Sequence, residues 1–284
     1  MKSRIFATVL IAISSTYLYS CTTRTENPTE DVASQEEVKL IGSSSTYPAL
    51  KGLAKAYQEE NKAAEVTFLP KSQSESAIVA VKKGIVDLGT VSKKLEREEE
   101  SEAIKYQELA KDALIVATHP SVEGVTDLET EELKGIYSGK ITNWQELGGP
   151  DQVIIVVDRP EDESGKRLLR EYYLGQELEN APEAVIMRHE GELITAVKDT
   201  PYSIGAFSLA NAITNDLPVN RLSLNGVEPT ADNVEAGEYE MVRHIGLVYN
   251  SEPSSETQNF LDFMFSEAGA EELRQKGFIP SPAP

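Results

Sequence analysis

The chain has 284 residues, 40% of them hydrophobic, and its 27 basic and 47 acidic side chains leave a formal net charge of -20. That length and apolar content suit one large domain or two lobes with cores of their own, while the acidity excludes a nucleic-acid groove or a general attraction to anionic lipid. A single cysteine, Cys21, excludes an internal disulfide.

Residues 1–20 read as a leader. Lys2 and Arg4 form a basic start and Ile5 to Ile13 an apolar run too short for a stable membrane span. "LYSC", Leu18 to Cys21, resembles the lipobox of bacterial lipoproteins, with Tyr19 bulkier than usual; that resemblance implies lipidation at Cys21 and an extracytoplasmic protein held on a membrane. Residues 21–37 are polar and acidic without apolar period, the composition of a flexible tether. From Val38 onward, short β-like runs alternate with amphipathic helices, which predicts an α/β fold. The expected strands are "VKLIG", "EVTFL", "VDLGTV", "DALIVATH", "QVIIVV", "SIGAFS" and "HIGLVYN". The expected helices span 49–61, 76–83, 130–138, 165–174, 190–198, 255–265 and 268–276.

In the first helix, Leu50, Leu53, Ala54 and Tyr57 recur at helical spacing, and Pro48 sits in the first turn, where its missing N–H costs nothing. The run Ser43 to Thr46 therefore stands at a helix N-terminus. Such an end offers unpaired N–H groups and partial positive charge to an oxyanion, and small hydroxyls add directed donors. One capping hydroxyl is the ordinary reading of a helix start; four in a row exceed it. Two echoes strengthen the anion reading: Ser72, Ser74 and Ser76 precede the second helix, and Arg159, Ser164 and Gly165 precede a later one. Each follows a β-like run, where open α/β sheets build their binding crevice.

Other chemistries fit poorly. His119, His189 and His244 are scattered without metal-ligand spacing, so no metal and no cofactor is expected. No Gly-x-Ser-x-Gly elbow is present, and "ESGK" at 163–166 lacks the earlier glycine and following hydroxyl of a nucleotide-binding loop. The chain reads as a binder, not an enzyme.

Several stretches resemble the phosphate-binding proteins of ABC importers: "GSSSTYP" their first phosphate loop, "SESAIVAVKKGIVDLGTVSKK" the second loop with its helix, and "LKGIYSGKITNWQELGG" their most recognisable segment. "TPYSIGAFSLAN" is similar to a crossing between lobes and "GFIP" to the exit of the last helix. The resemblance implies a two-lobed type II periplasmic binding protein fold with a ligand cleft between lobes. It places residues 38–113 plus 215–284 in lobe I and 114–214 in lobe II, with "DALIVATH" and "SIGAFS" as crossings. It implies inorganic phosphate or a related oxyanion held by Ser44, Ser45, Thr46, Ser74, Ser92, Arg159, Ser164 and Gly165, and delivery by a monomer to an ABC permease and ATPase. The alternatives are another oxyanion or a small carboxylate, or an extracytoplasmic sensor or scaffold on the same fold.

Three departures concern the ligand. Gln73 and Glu75 flank Ser74 where the family carries glycines, and Ser92 stands where some members have a proton-accepting aspartate. Glu75, Asp162 and Glu163 are then the candidate proton acceptors, or plain acids at helix starts. In the third loop the serine lies one residue further from Arg159, and Lys166 replaces a threonine. Lys166 is expected either to approach the anion as a point charge or to neutralise Asp162 and Glu163. Arg243 is expected to make a structural ion pair.

Overall fold

In the computed structural model the chain divides into Met1–Ser34 and a unit Gln35–Pro284. The structure describes residues 36–43, 45–95 and 103–282, so the leader, Cys21 and the tether up to residue 35 lie outside the described residues, while Glu36 and Glu37, expected in the tether, belong to the first strand because they pair with Ala64 and Glu65. Three parallel strands, β1 (Glu36–Gly42), β2 (Ala64–Phe68) and β3 (Leu88–Val91), are joined by α1 (Tyr47–Glu60) and α2 (Ser74–Lys82). Helix α1 buries Leu50, Leu53, Ala54 and Tyr57, the stripe expected from spacing. Next comes β4 (Ile104–Thr118), whose two halves have different partners.

The chain continues through β5 (Asp127–Leu128), α3 (Thr130–Ser138), a 3-10 turn at Trp144–Leu147 and β6 (Ile155–Asp158). Then follow α4 (Ser164–Leu169), a π-helical turn at Arg170–Leu174, β7 (Val185–Ile186), α5 (Glu190–Asp199), β8 (Ser203–Ser208) and α6 (Leu209–Thr214). After β9 (Asn220–Arg221), β10 (Ser223–Leu224) and α7 (Ala231–Glu235), the chain runs into β11 (Val242–Asn250), α8 (Ser255–Met264), α9 (Glu267–Gln275) and β12 (Ile279–Pro280). A capping box of Glu129 and Glu132 starts α3, and Gly139 at φ 73° ends it, so the "IYSGKITNW" stretch is scaffold.

The main sheet has the order β2-β1-β3-β11-β4-β8-β6-β7. From Ile104 to Ala113, β4 pairs antiparallel with β11; from Leu114 to Thr118 it pairs antiparallel with β8. One core gathers Leu40, Leu50, Leu53, Leu88, Leu247 and Phe260. Another gathers Leu114, Ile115, Trp144, Val157, Leu193 and Phe207. This is the two-lobed type II binding-protein fold.

The return path is longer than one crossing strand. Strand β8 pairs only with β4 and β6 and sends Ile204 and Phe207 into the second core. Leu222, Leu224, Val234, Tyr239 and Met241 join the same core. Tyr239 donates its hydroxyl to the Leu114 carbonyl at 2.7 Å, and the Leu114 amide bonds the Met241 carbonyl at 2.9 Å. After β8, Ala210 joins the first core and Thr214 donates to the Lys276 carbonyl, while Leu222 to Met241 return to the second core and the chain passes Leu114 again at Met241–Arg243.

Register then places the strand ends. Strand β3 ends at Val91, level through β11 with Glu108 of β4, and β8 ends at Ser208 opposite Leu114. Since β3 runs along β4 and β8 against it, the carboxyl ends of the two parallel sets face each other across Glu108 to Leu114. At about 3.3 Å per residue that interval is roughly 20 Å long, room for loops from either side to meet over the middle of β4.

Candidate anion site at the facing strand ends

The loop after β1 is held by hydroxyls. Thr46, with no exposed surface, donates to the Ser43 carbonyl at 2.8 Å and shares a hydrogen bond of 2.5 Å with Thr90. Its amide also bonds the Ser43 carbonyl, at 3.1 Å. Thr46 thus braces the loop from within, and both of its donors are engaged there. A Cβ at position 42 would meet Thr90 Oγ1 at 1.7 Å, so Gly42 is what lets Thr90 reach Thr46. Ser43 and Ser45 bond each other through their hydroxyls at 2.9 Å. Ser44 lies outside the described residues. In the neighbouring loops, the hydroxyl of Ser74, the first residue of α2, accepts the Ser92 amide at 3.2 Å. Four of the expected residues therefore sit in three hydrogen-bonded contacts at adjacent strand ends: Ser45 with Ser43, Thr46 with Ser43 and Thr90, and Ser74 with Ser92. Thr90 was missed; it lies inside a strand run, and only the β1–β3 register brings it to the loop.

Thr46→Val keeps the volume and deletes the hydroxyl. Leaving buried Thr90 short of a partner should cost about 1–3 kcal/mol of stability in urea unfolding; a change below about 0.5 kcal/mol would show that the brace contributes nothing.

Across the interval, the third loop joins β6 to α4. Arg159 is 9% exposed, and its Nη2 meets Glu163 Oε2 at 2.6 Å while its Nε, also buried, has no acceptor among the described residues. Ser164 opens α4, and a Cβ on Gly165 would stand 3.6 Å from Arg243 Nη2. Arg243 itself bridges Asp112 Oδ2 at 3.2 Å and Glu190 Oε2 at 3.0 Å, with Asp112 opposite it in the β4–β11 register. Ser208 and the Ala210 amide donate to the other oxygen of Asp112. Burial, helped by the charge of Glu190 and opposed by Arg243, lifts the Asp112 carboxyl from 3.8 to about 6. Burial works to raise Glu190 as well, but the charge of Arg243, a bond from Asn211 and the charge of Arg159 hold it below the usual range. The third loop and the crossing thus share one charged network, and Arg243 makes the structural ion pair expected of it.

The departures resolve in part. Lys166 is fully buried and donates to Asp158 Oδ2 at 2.5 Å and Asn180 Oδ1 at 3.0 Å; it neither faces the cleft nor neutralises Asp162 or Glu163, because Asp158 claims it. Glu75 pairs with Lys93 at 3.4 Å and Glu163 with Arg159, whereas the Asp162 side chain is exposed. An open cavity of about 520 Å³ shares no residue with these loops, and its lining of Glu108, Glu235 and Glu267 against Lys111 and Arg274 does not favour an anion. No cluster able to hold a metal ion occurs among the described residues, and no helix among them is long and apolar enough to cross a membrane.

The helix starts divide into three kinds, of which α3 and α5 open on capping boxes of Glu129 with Glu132 and of His189 with Glu192. Ser208, Thr230, Ser254 and Ser266 cap α6, α7, α8 and α9 through their side chains. At α1, α2 and α4, the three starts that carry the expected site, no side chain makes a cap bond. Three helix starts without side-chain caps thus stand at strand ends that face one another, on the two-lobed fold of a binding protein. A family model described as a PBP superfamily domain matches residues 27–268. The phosphate-binding protein PstS of Bacillus subtilis is 32% identical over 85% of this chain and 79% of its own length. The PstS of Borreliella burgdorferi is 28% identical over 95% and 96%. A phosphate-bound crystal structure from Clostridium perfringens, of a candidate substrate-binding protein of a phosphate ABC transporter, is 28% identical with a TM-score of 0.74, covering 86% of this chain and 99% of that one. The chain belongs to the PBP superfamily and, within it, to the PstS family.

Proposed function

We propose that this protein captures inorganic phosphate in the cleft between its lobes and passes it, as a monomer, to an ABC permease and ATPase. The observation that carries this reading is the placement of three helix starts without a side-chain cap, α1, α2 and α4, at strand ends that face one another, where an oxyanion can use their N–H groups. The PstS relatives and the phosphate-bound C. perfringens structure support phosphate as that oxyanion. In this reading the donors are Ser44, Ser45, Ser74 and Ser92 from one lobe, with Arg159, Ser164 and Gly165 from the other; Thr46 holds the first loop in shape. The lobes are 36–113 with 242–282, and 114–241, and the anion favours the closed arrangement by touching both. The chemistry is capture and release, without turnover.

Titration calorimetry on protein stripped by partial unfolding and refolding tests the assignment. Phosphate is expected to bind with micromolar or better affinity and sulfate to give no heat; silence toward phosphate would end it. The pairing of Glu75 with Lys93 and of Glu163 with Arg159 favours a second reading, a site less able to accept the proton of hydrogenphosphate and so open to sulfate. Sulfate binding within tenfold of phosphate would select it.

The same proposal places the protein outside the cytoplasm on a lipid attached to Cys21. Cys21→Ser should move it from the membrane fraction to the soluble one, and persistent sedimentation with membranes would refute lipidation.

A further inference from the structure

The third loop is fastened from behind by side chains that face away from Arg159. Asp158, the last residue of β6, accepts the Arg159 amide on Oδ1 at 2.8 Å and the Lys166 ammonium on Oδ2 at 2.5 Å. One carboxylate therefore ties the residue that opens the loop to the one that follows it. Lys166 lies 5.2 Å from the centre of the Tyr137 ring and also donates to Asn180 Oδ1. Asn180 passes the connection on, donating from Nδ2 to Glu161 Oε1 at 2.7 Å. Arg170, in the π-helical turn, forks onto both oxygens of Glu161 at 2.5 and 2.8 Å, reaches Asn180 Oδ1 at 3.2 Å and donates to the Gly175 carbonyl. Asp158, Glu161 and Lys166, the first, fourth and last residues of the stretch 158–166, are thereby linked in one network of bonds.

A buried ammonium is a costly way to fill space, since an apolar chain of similar volume gives equal or better stability without the desolvation penalty. What the ion pairs add is geometry: the planar guanidinium of Arg170 donates to Glu161 in one orientation, and each oxygen of Asp158 is already directed at one donor, the Arg159 amide or the Lys166 ammonium. We propose that Lys166 and Arg170, acting through Asp158, Asn180 and Glu161, are positioning residues that hold loop 159–165 in the shape that presents Arg159 and the α4 N-terminus to the anion. Lys166 serves the site without touching the ligand. The inference rests on the anion reading for its purpose, though the bracing of the loop does not depend on it.

The test uses three variants: Lys166→Met, Lys166→Arg and Glu161→Gln, the last at a half-exposed side chain whose loss leaves the core intact. Hydrogen exchange of the Arg159 and Glu163 amides, bonded to Asp158 Oδ1 and the Pro160 carbonyl, is followed in phosphate-free protein, and phosphate affinity is then titrated. Lys166→Met and Glu161→Gln should each speed exchange in segment 159–165 tenfold or more, leave β1 and α1 at wild-type rates and weaken phosphate about tenfold. Lys166→Arg should recover much of both effects. Wild-type exchange in Lys166→Met and Glu161→Gln overturns the proposal whatever phosphate does; should Lys166→Met fail to fold, Glu161→Gln decides alone. Accelerated exchange with wild-type phosphate affinity refutes the positioning role and leaves a purely structural brace. Accelerated exchange in a protein whose wild type ignores phosphate upholds the brace and refutes the phosphate reading instead.

Discussion

Arg159→Ala is expected to weaken phosphate binding about a hundredfold or more while the protein stays folded. Two terms add. A hydrogen bond from a buried cation to an ionised acceptor is worth about 1.5–3 kcal/mol, and Arg159 has its buried Nε open besides the Nη2 engaged with Glu163. Each 1.4 kcal/mol is tenfold in affinity, so one such bond spans about ten- to about 150-fold and a second multiplies that range. Removing the guanidinium also strips Glu163 of its partner at 2.6 Å, turning a neutral pair into a bare carboxylate beside the incoming anion. The double variant Arg159→Ala/Glu163→Gln should therefore recover part of the loss, and the recovery measures the repulsion. Calorimetry on stripped protein reads both. A loss below about threefold would place the anion away from the third loop, and an unrecovered double variant would show that Glu163 does not face it.

The local frame of the candidate site was readable because it depends on local chemistry. Pro48 beside an apolar stripe marks the start of α1 whatever the tertiary context, and so identifies the preceding hydroxyls as N-terminal. What stayed hidden depends on pairing between distant residues. Thr90 matters through the β1–β3 register and the absence of a side chain on Gly42. The first half of β4, "IKYQELAK", has no clean alternation because β11 covers it on one edge while its side chains split between a core and charged neighbours; only "DALIVATH" read as a strand. The excursion of residues 217–241 to the second core was not read because β9 and β10 are two-residue strands whose partners, β4 and β5, lie about a hundred residues upstream, beyond the reach of periodicity. Lys166 was misread for the same reason: position alone brings it near Glu163, but the packing of α4 on β6 delivers its ammonium to Asp158.

The crossing is where charge and fold meet most strongly, and Arg243→Met tests it. The substitution fills the space but leaves Asp112, 1% exposed at its side chain, and Glu190, 19% exposed, without their shared cation. Removing one partner from a buried pair of this kind costs about 3–5 kcal/mol. The deficit should depend on pH, with a definite sign. The folded Asp112 carboxyl titrates near 6 against 3.8 ordinarily, so the native state holds the proton more tightly than the unfolded one. Its contribution is present in full below about pH 4 and is lost as pH rises through 6. Arg243 pulls that titration down; without it the carboxyl moves higher still, and Glu190, now lowered by the same guanidinium, moves up with it. Protonation thus relieves the variant more than the wild type. Urea unfolding should show the full deficit at pH 7.5 and one smaller by about 1 kcal/mol or more at pH 5, where Asp112 is largely neutral in both proteins. An equal deficit at the two pH values would mean that the loss is one of packing alone. A pH-dependent deficit would mean that the two crossings, α5 and the third loop are held at one point by charge, so that any anion drawn to Arg159 acts on the hinge itself.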